Sequence, residues 1–200
     1  RLLPAYKAGQ LAKTNPGFWA ARAVLNDPGS KEKIDRGIFS IYFFNIMQVQ
    51  EGDAVFQDAG IPHAYLEGQN VELMANSDNV LRGGLTPKHV DVPELLKHTR
   101  FEGVDPHIIK GNVSADGLER IYPSPAPDFE VSKIDIPSGQ VYKHTAKAAE
   151  ILIVIKGAAT IKGDDTLALQ KGQCVFAAFA ASYEISTDSG AELFKATVNI

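Results

Sequence analysis

The sequence holds one cysteine in two hundred residues, Cys174. A single thiol forms neither an internal disulfide framework nor a Cys-x-x-Cys metal knuckle, so a reducing, cytoplasmic setting is expected. An excess of either charge is also lacking. Lys and Arg number 20 against 24 Asp and Glu, for a net charge of −4, and no long basic run occurs. Nucleic acid is therefore not an expected partner. The most apolar windows, 151–155 and 175–181, fall far short of the roughly 18 apolar residues of a membrane-spanning helix, so neither membrane insertion nor a signal peptide is expected. The chain opens on Arg1 rather than Met and reads as a fragment or a trimmed chain. What is present, 44% hydrophobic residues, suffices for one sizeable core or two small ones.

Asn15 before Pro16 is a helix-start signal, because Asn caps orphan amides and Pro tolerates the first helical position. Phe18, Ala21, Arg22 and Leu25 follow at helical spacing, which predicts a helix ending between Asn26 and Gly29. The run 38–47 is dense in β-branched and aromatic residues and predicts that sheet begins there. Asp91 and Glu94 bracket Val92 and Pro93 as a capping box, which predicts a short helix ending near His98.

Residues 111–127 turn rich in Gly, Ser and Pro, with Pro123, Pro125 and Pro127 closely spaced. Neither helix nor central strand persists through such spacing, and a linker is expected. After it come short runs at 129–136, 140–142, 150–155, 158–161, 166–169, 174–178, 183–185 and 192–198, the pattern of an all-β sandwich or barrel. Glu51-Gly52-Asp53-Ala54-Val55-Phe56 and Lys171-Gly172-Gln173-Cys174-Val175-Phe176 share a turn-then-strand pattern, suggesting an internal repeat. This unit resembles the second half of a cupin, the jelly-roll β-barrel. Gly139, His144, Glu150 and Gly157 resemble the first half. The fold class expected is thus mainly β, a bicupin remnant with a few helices. A helical segment covers 1–35, the C-terminal half of a first barrel and a short helix cover 36–110, a linker covers 111–127, and a second barrel covers 128–200.

Three stretches carry the chemistry. They are Pro62-His63-Ala64-Tyr65-Leu66-Glu67-Gly68, then Glu72-Leu73-Met74-Ala75-Asn76-Ser77-Asp78-Asn79, then Arg82-Gly83-Gly84-Leu85-Thr86-Pro87-Lys88. Together with Asp35-Arg36-Gly37-Ile38-Phe39-Ser40 they closely resemble type I phosphomannose isomerases, over about 36–93. The resemblance implies zinc-assisted interconversion of mannose 6-phosphate and fructose 6-phosphate, with a sugar phosphate as the partner. It also implies a zinc site of two His, one Glu and one Gln, to which His63 contributes one His. No Gln-x-His follows any of the chain's glutamines, so the other ligands are expected upstream of Arg1.

Neutral imidazole is a good zinc ligand, but one ligand does not make a site. Tyr65 shares a strand face with His63 and either lines the cavity or is an ordinary strand aromatic. Glu72 matches an active-site carboxylate that holds a sugar hydroxyl or helps move a proton, against a plain solvated Glu. Asp78 is a pocket residue or a turn cap. Arg82 and Lys88 flank Gly83-Gly84, where a sharp turn lets two cations converge on one phosphate; Arg82 is expected to serve catalysis through transition-state or phosphate electrostatics and Lys88 to bind substrate, with exposed loop cations as the alternative. His89, His98 and His107 lack ligand spacing. His144 and Glu150 resemble remnants of a cupin metal motif, but 180–183 offers no matching His, so the second barrel is expected to be structural and metal-free. Two rivals to the isomerase are a non-catalytic sugar-phosphate-binding cupin module and an inactive fragment.

Overall fold

The computed structural model describes residues 2–27, 34–77 and 79–199; Arg1, Gly29 and Asp78 lie outside them. The chain forms two compact units. The first takes in 1–49, 57–69 and 78–106, the second 50–56, 70–77 and 107–200. The chain passes between the units several times, for the last time at His107, and strand already forms within 111–127.

In the first unit, α1 (Leu2–Lys7) precedes α2 (Pro16–Asn26), whose start is fixed as the sequence predicts. The Asn15 side chain accepts from the Gly17 amide at 2.8 Å, satisfying one of the orphan donors of the first turn. Trp19 is buried and donates its indole N–H to the Lys13 carbonyl at 2.7 Å. Trp19, Ala20 and Ile41 form a small core, with Phe18, Ala23, Ile38 and Ile46 packed against it. This core corrects the strand expected over 38–47. Arg36–Phe39 is instead a 3-10 turn that continues into α3 (Ser40–Phe43). Asp35 caps it by accepting from the Gly37 amide, and helical spacing places Ile38 and Ile41 together on the Trp19 core. Capping and tertiary packing override the β propensity of the aromatic and β-branched residues. The last helix, α4 (Val92–His98), is capped by Asp91, which accepts from the Glu94 amide at 3.1 Å.

The second unit is a curled antiparallel sheet of nine strands: β1 (Asn112–Val113), β2 (Glu119–Tyr122), β3 (Glu130–Ile136), β4 (Val141–Thr145), β5 (Glu150–Lys162), β6 (Thr166–Gln170), β7 (Cys174–Ala177), β8 (Ser182–Ser186) and β9 (Ala191–Thr197). Neighbours run β1-β2-β3-β9-β5-β8-β4, and β6 and β7 also pair with β5. β2 ends at Tyr122, directly before Pro123, where proline withdraws a ladder donor. The runs expected at 150–155 and 158–161 fuse into one long β5, with a bulge between Val154 and Lys156. Beside the bulge, Gly157 has φ +73°, and a Cβ there would sit 2.2 Å from the Gly190 carbonyl oxygen, so only glycine fits.

Inward rows of Ile134, Ile136, Leu152, Val154, Ile161, Ile185 and Leu193 fill the barrel, as the two-residue period of each strand requires. The turn at 50–53 is fastened to this unit. Tyr122 donates its hydroxyl to the Gly52 carbonyl at 2.9 Å, and Lys110 pairs with Asp53 at 2.6 Å. No helix among the described residues is long and apolar enough to cross a membrane.

Candidate active site

The motif stretches are held by local devices. Asp35 uses both carboxylate oxygens: Oδ1 accepts from the Gly37 amide at 2.7 Å and Oδ2 from the Leu85 amide at 2.9 Å. That second bond crosses fifty residues of sequence and joins the start of the 3-10 turn to the 82–88 loop. The backbones meet glycine to glycine, since a Cβ built on Gly37 would stand 3.0 Å from the Gly84 Cα. Leu85 has φ +51°, a left-handed conformation that a branched, non-glycine residue adopts only at a cost of about 1–2 kcal/mol. The Asp35 bond to its amide helps hold it there. Half-buried Arg82 and exposed Lys88 lie at the two ends of this pinned loop, and the Thr86 hydroxyl accepts from the Lys88 amide at 3.2 Å.

The His63 stretch is held at both ends. At its base, the Arg100 amide donates to the Gly60 carbonyl at 2.9 Å, and the Arg100 guanidinium pairs with Asp58 at 2.8 Å. At its far end Glu67 pairs with both Lys13 and Arg22, and Arg22 also lies 5.4 Å from the centre of the Trp19 ring. The hydrogen bond from Lys13, then that from Arg22, holds the Glu67 carboxyl below the usual range. Between these ties the His63 and Tyr65 rings are neighbours, 6.0 Å apart at 63°.

The His63 ring is oriented. Nδ1 lies 3.0 Å from the Ile61 carbonyl oxygen, and because a carbonyl only accepts, Nδ1 carries the proton. In the neutral ring Nε2 then carries the lone pair, on an exposed side chain. This carbonyl anchor is the arrangement that metal-ligating histidines use to fix their tautomer. His63 thus fits zinc as one ligand. Among the described residues no group of three or more His, Cys, Asp or Glu is placed to hold a metal, so these residues present no complete ligand set and no reaction step is derived through the ion.

His63, Tyr65, Arg82 and Lys88 all belong to the first unit, whereas Glu72 belongs to the second. Asp35, Glu67, Arg22 and Arg100 escaped sequence reasoning as positioning residues. Asp35, which opens the matched run 35–40, and Glu67, inside the matched run 62–68, carried a signal there; Arg22 and Arg100 carried none.

No family model matches the chain. Curated proteins do. It is 40% identical over 145 residues to the mannose-6-phosphate isomerase of Escherichia coli K12, a match covering 72% of this chain and 37% of that protein. The Homo sapiens mannose-6-phosphate isomerase is 39% identical over 151 residues, covering 71% and 36%. The chain is a relative of the mannose-6-phosphate isomerases. Among solved structures, the Salmonella typhimurium mannose 6-phosphate isomerase bound to fructose 6-phosphate and zinc matches with a TM-score of 0.74 and 31% identity, over 99% of this chain and 49% of that one. The apo form of the same enzyme also gives a TM-score of 0.74. The chain spans little more than a third of the length of these curated isomerases and about half of the solved chains.

Proposed function

We propose that these residues are part of a zinc-dependent isomerase interconverting mannose 6-phosphate and fructose 6-phosphate, to which they contribute the phosphate-binding loop and one metal ligand. The observation that carries this reading is the 82–88 loop. Its left-handed Leu85 is held by Asp35 between two cations, in a chain related to enzymes of that name. Backbone strain of this kind is kept where surrounding structure over-determines it, and it concentrates at functional sites.

In this assignment Lys88 binds the phosphate as a compact charge, and Arg82, as a planar fork, stabilises charge on the transition state or on the phosphate. Tyr65 lines the sugar site beside His63, which binds zinc through Nε2. Bound zinc would act as a Lewis acid on the carbonyl and hydroxyl oxygens, offsetting the negative charge that develops when the carbon between them loses its proton. Glu72 holds a sugar hydroxyl or moves a proton, and a bell-shaped pH-rate profile left unchanged by Glu72→Gln would remove it from proton transfer. The single cysteine supports a cytoplasmic setting.

The missing ligand set favours a second reading for these residues taken alone, a sugar-phosphate-binding module without turnover. Metal analysis with an isomerase assay separates the two. Stoichiometric zinc with turnover establishes the isomerase in these residues. Saturable sugar-phosphate binding without zinc or turnover establishes the module.

A further inference from the structure

The inward rows of the second barrel end in polar side chains at one side. β9 presents Ala191, Leu193 and Lys195 inward, β5 presents Glu150, Leu152 and Val154, and β8 presents Tyr183 and Ile185. Tyr183 stands opposite His144 across the β4–β8 ladder, and Ser132 opposite Lys195 across β3–β9. Lys195, Glu119 and Glu150 are buried, with 5%, 6% and 2% of their surface exposed.

The ammonium of Lys195 sits where these side chains converge. Its Nζ lies 2.8 Å from Glu119 Oε1, 3.4 Å from the Tyr142 hydroxyl, 3.4 Å from His144 Nε2 and 3.8 Å from Glu150 Oε1. Each carboxylate has further donors. Tyr142 donates to Glu119 at 2.8 Å and Ser132 also donates to it, while Tyr183 donates to Glu150 at 2.7 Å. His144 Nε2 lies 2.9 Å from Glu150 Oε1. That closer contact with a carboxylate makes Nε2 the donor, so the ammonium's approach to the same nitrogen is electrostatic packing rather than a second hydrogen bond. One imidazole, two carboxylates and one phenol thus lie within 3.8 Å of one positive charge inside a barrel, and a second phenol, Tyr183, holds Glu150.

We propose that Lys195 is the resident cation of a metal-type donor cluster, and that its ammonium bars divalent metal from the second barrel. His144, Glu150 and Glu119 all have donor atoms within 3.8 Å of the ammonium nitrogen. A zinc ion at that point would need them to close to roughly 2.0–2.2 Å, and it would have to displace a covalently tethered like charge. The lysine is thus an intramolecular substitute that neutralises the buried carboxylates without an ion. In a zinc enzyme this confines metal to the other site, but the inference does not depend on the sugar-phosphate reading.

The test is metal uptake by the full chain, by equilibrium dialysis with zinc and by the visible absorption of cobalt(II), in the unaltered protein, Lys195→Ala and Lys195→Ala/His144→Ala. Lys195→Ala is expected to bind one more equivalent per chain than the unaltered protein and to gain a cobalt band, and the second substitution is expected to remove both. A folded Lys195→Ala chain that binds no more metal than the unaltered protein overturns the proposal, as does extra binding that survives His144→Ala. Should Lys195→Ala not fold in the absence of metal, zinc or cobalt is expected to restore its cooperative thermal transition, and failure to restore it overturns the proposal equally.

Discussion

The turns at Gln50–Asp53 and Gln170–Gln173 are built alike. In each the fourth residue's amide donates to the first residue's carbonyl at 3.0 Å, its side chain accepts from the first residue's amide, and the third residue is a glycine at φ +86°. The segments beyond the two turns differ. After the second turn, Cys174–Ala177 pairs residue by residue with β5. After the first, only an isolated bridge forms, between Ala54 and Ile109. Local sequence therefore specifies the turn, while the strand beyond it depends on a partner edge. The second copy has β5 beside it; among the described residues, the first meets one bridging residue.

The largest expected effect falls on the well-paired copy. Leu193 is fully buried in the barrel core, so Leu193→Ala is expected to lower stability to chemical denaturation by about 2–5 kcal/mol. A loss below about 1 kcal/mol would show that the barrel does not carry the cooperative unfolding of its strands.

Acid comes next. Burial alone would raise Glu119 and Glu150, but the bonds to Glu119 from Lys195, Ser132 and Tyr142 outweigh it, as do those to Glu150 from His144 and Tyr183 with the Lys195 charge, and both carboxyls end below the ordinary glutamate value. Their contribution is fully present above that ordinary value and is lost as pH falls through the lower folded values. Barrel stability should accordingly stay level down to the ordinary glutamate range and fall beneath it. The exposed Glu67 clamp of the first unit is depressed in the same direction, yet it is open to screening. Half-molar salt should therefore speed limited proteolysis in the 61–69 stretch while leaving the acid unfolding of the barrel unchanged. Equal salt sensitivity in both would erase the distinction.

The smallest effect separates the two turns themselves. Gly52→Ala and Gly172→Ala impose the same left-handed strain, about 1–2 kcal/mol. Gly172→Ala should appear in global unfolding. Gly52→Ala should appear only as faster hydrogen exchange at the Ala54 and Ile109 amides, whose two mutual hydrogen bonds make the bridge.

The second barrel was largely legible in the sequence, because its strands alternate and end at turn residues, and predicted and observed strands agree there to within a few residues. The caps at Asn15 and Asp91 were legible for the same local reason. The 38–43 stretch was not, since its β-rich composition is overruled by the Asp35 cap and the Trp19 core, which lies far off in sequence. Nor were the positioning residues, because the Asp35 bond to Leu85 and the Glu67 pairs with Lys13 and Arg22 join segments that no spacing rule connects. The His144 and Glu150 remnant could be read from spacing, but the Lys195 charge beside the pair could not. A lysine on an alternating strand gives no sign of facing inward.

Calorimetric titration of the chain with fructose 6-phosphate, beside fructose, tests the phosphate-loop assignment most directly. Saturable binding of fructose 6-phosphate, none of fructose, and at least a tenfold loss of affinity in Lys88→Ala, worth about 1.4 kcal/mol, are predicted. Equal affinity for the two sugars, or unchanged affinity in Lys88→Ala, would contradict the assignment of the 82–88 loop to the phosphate.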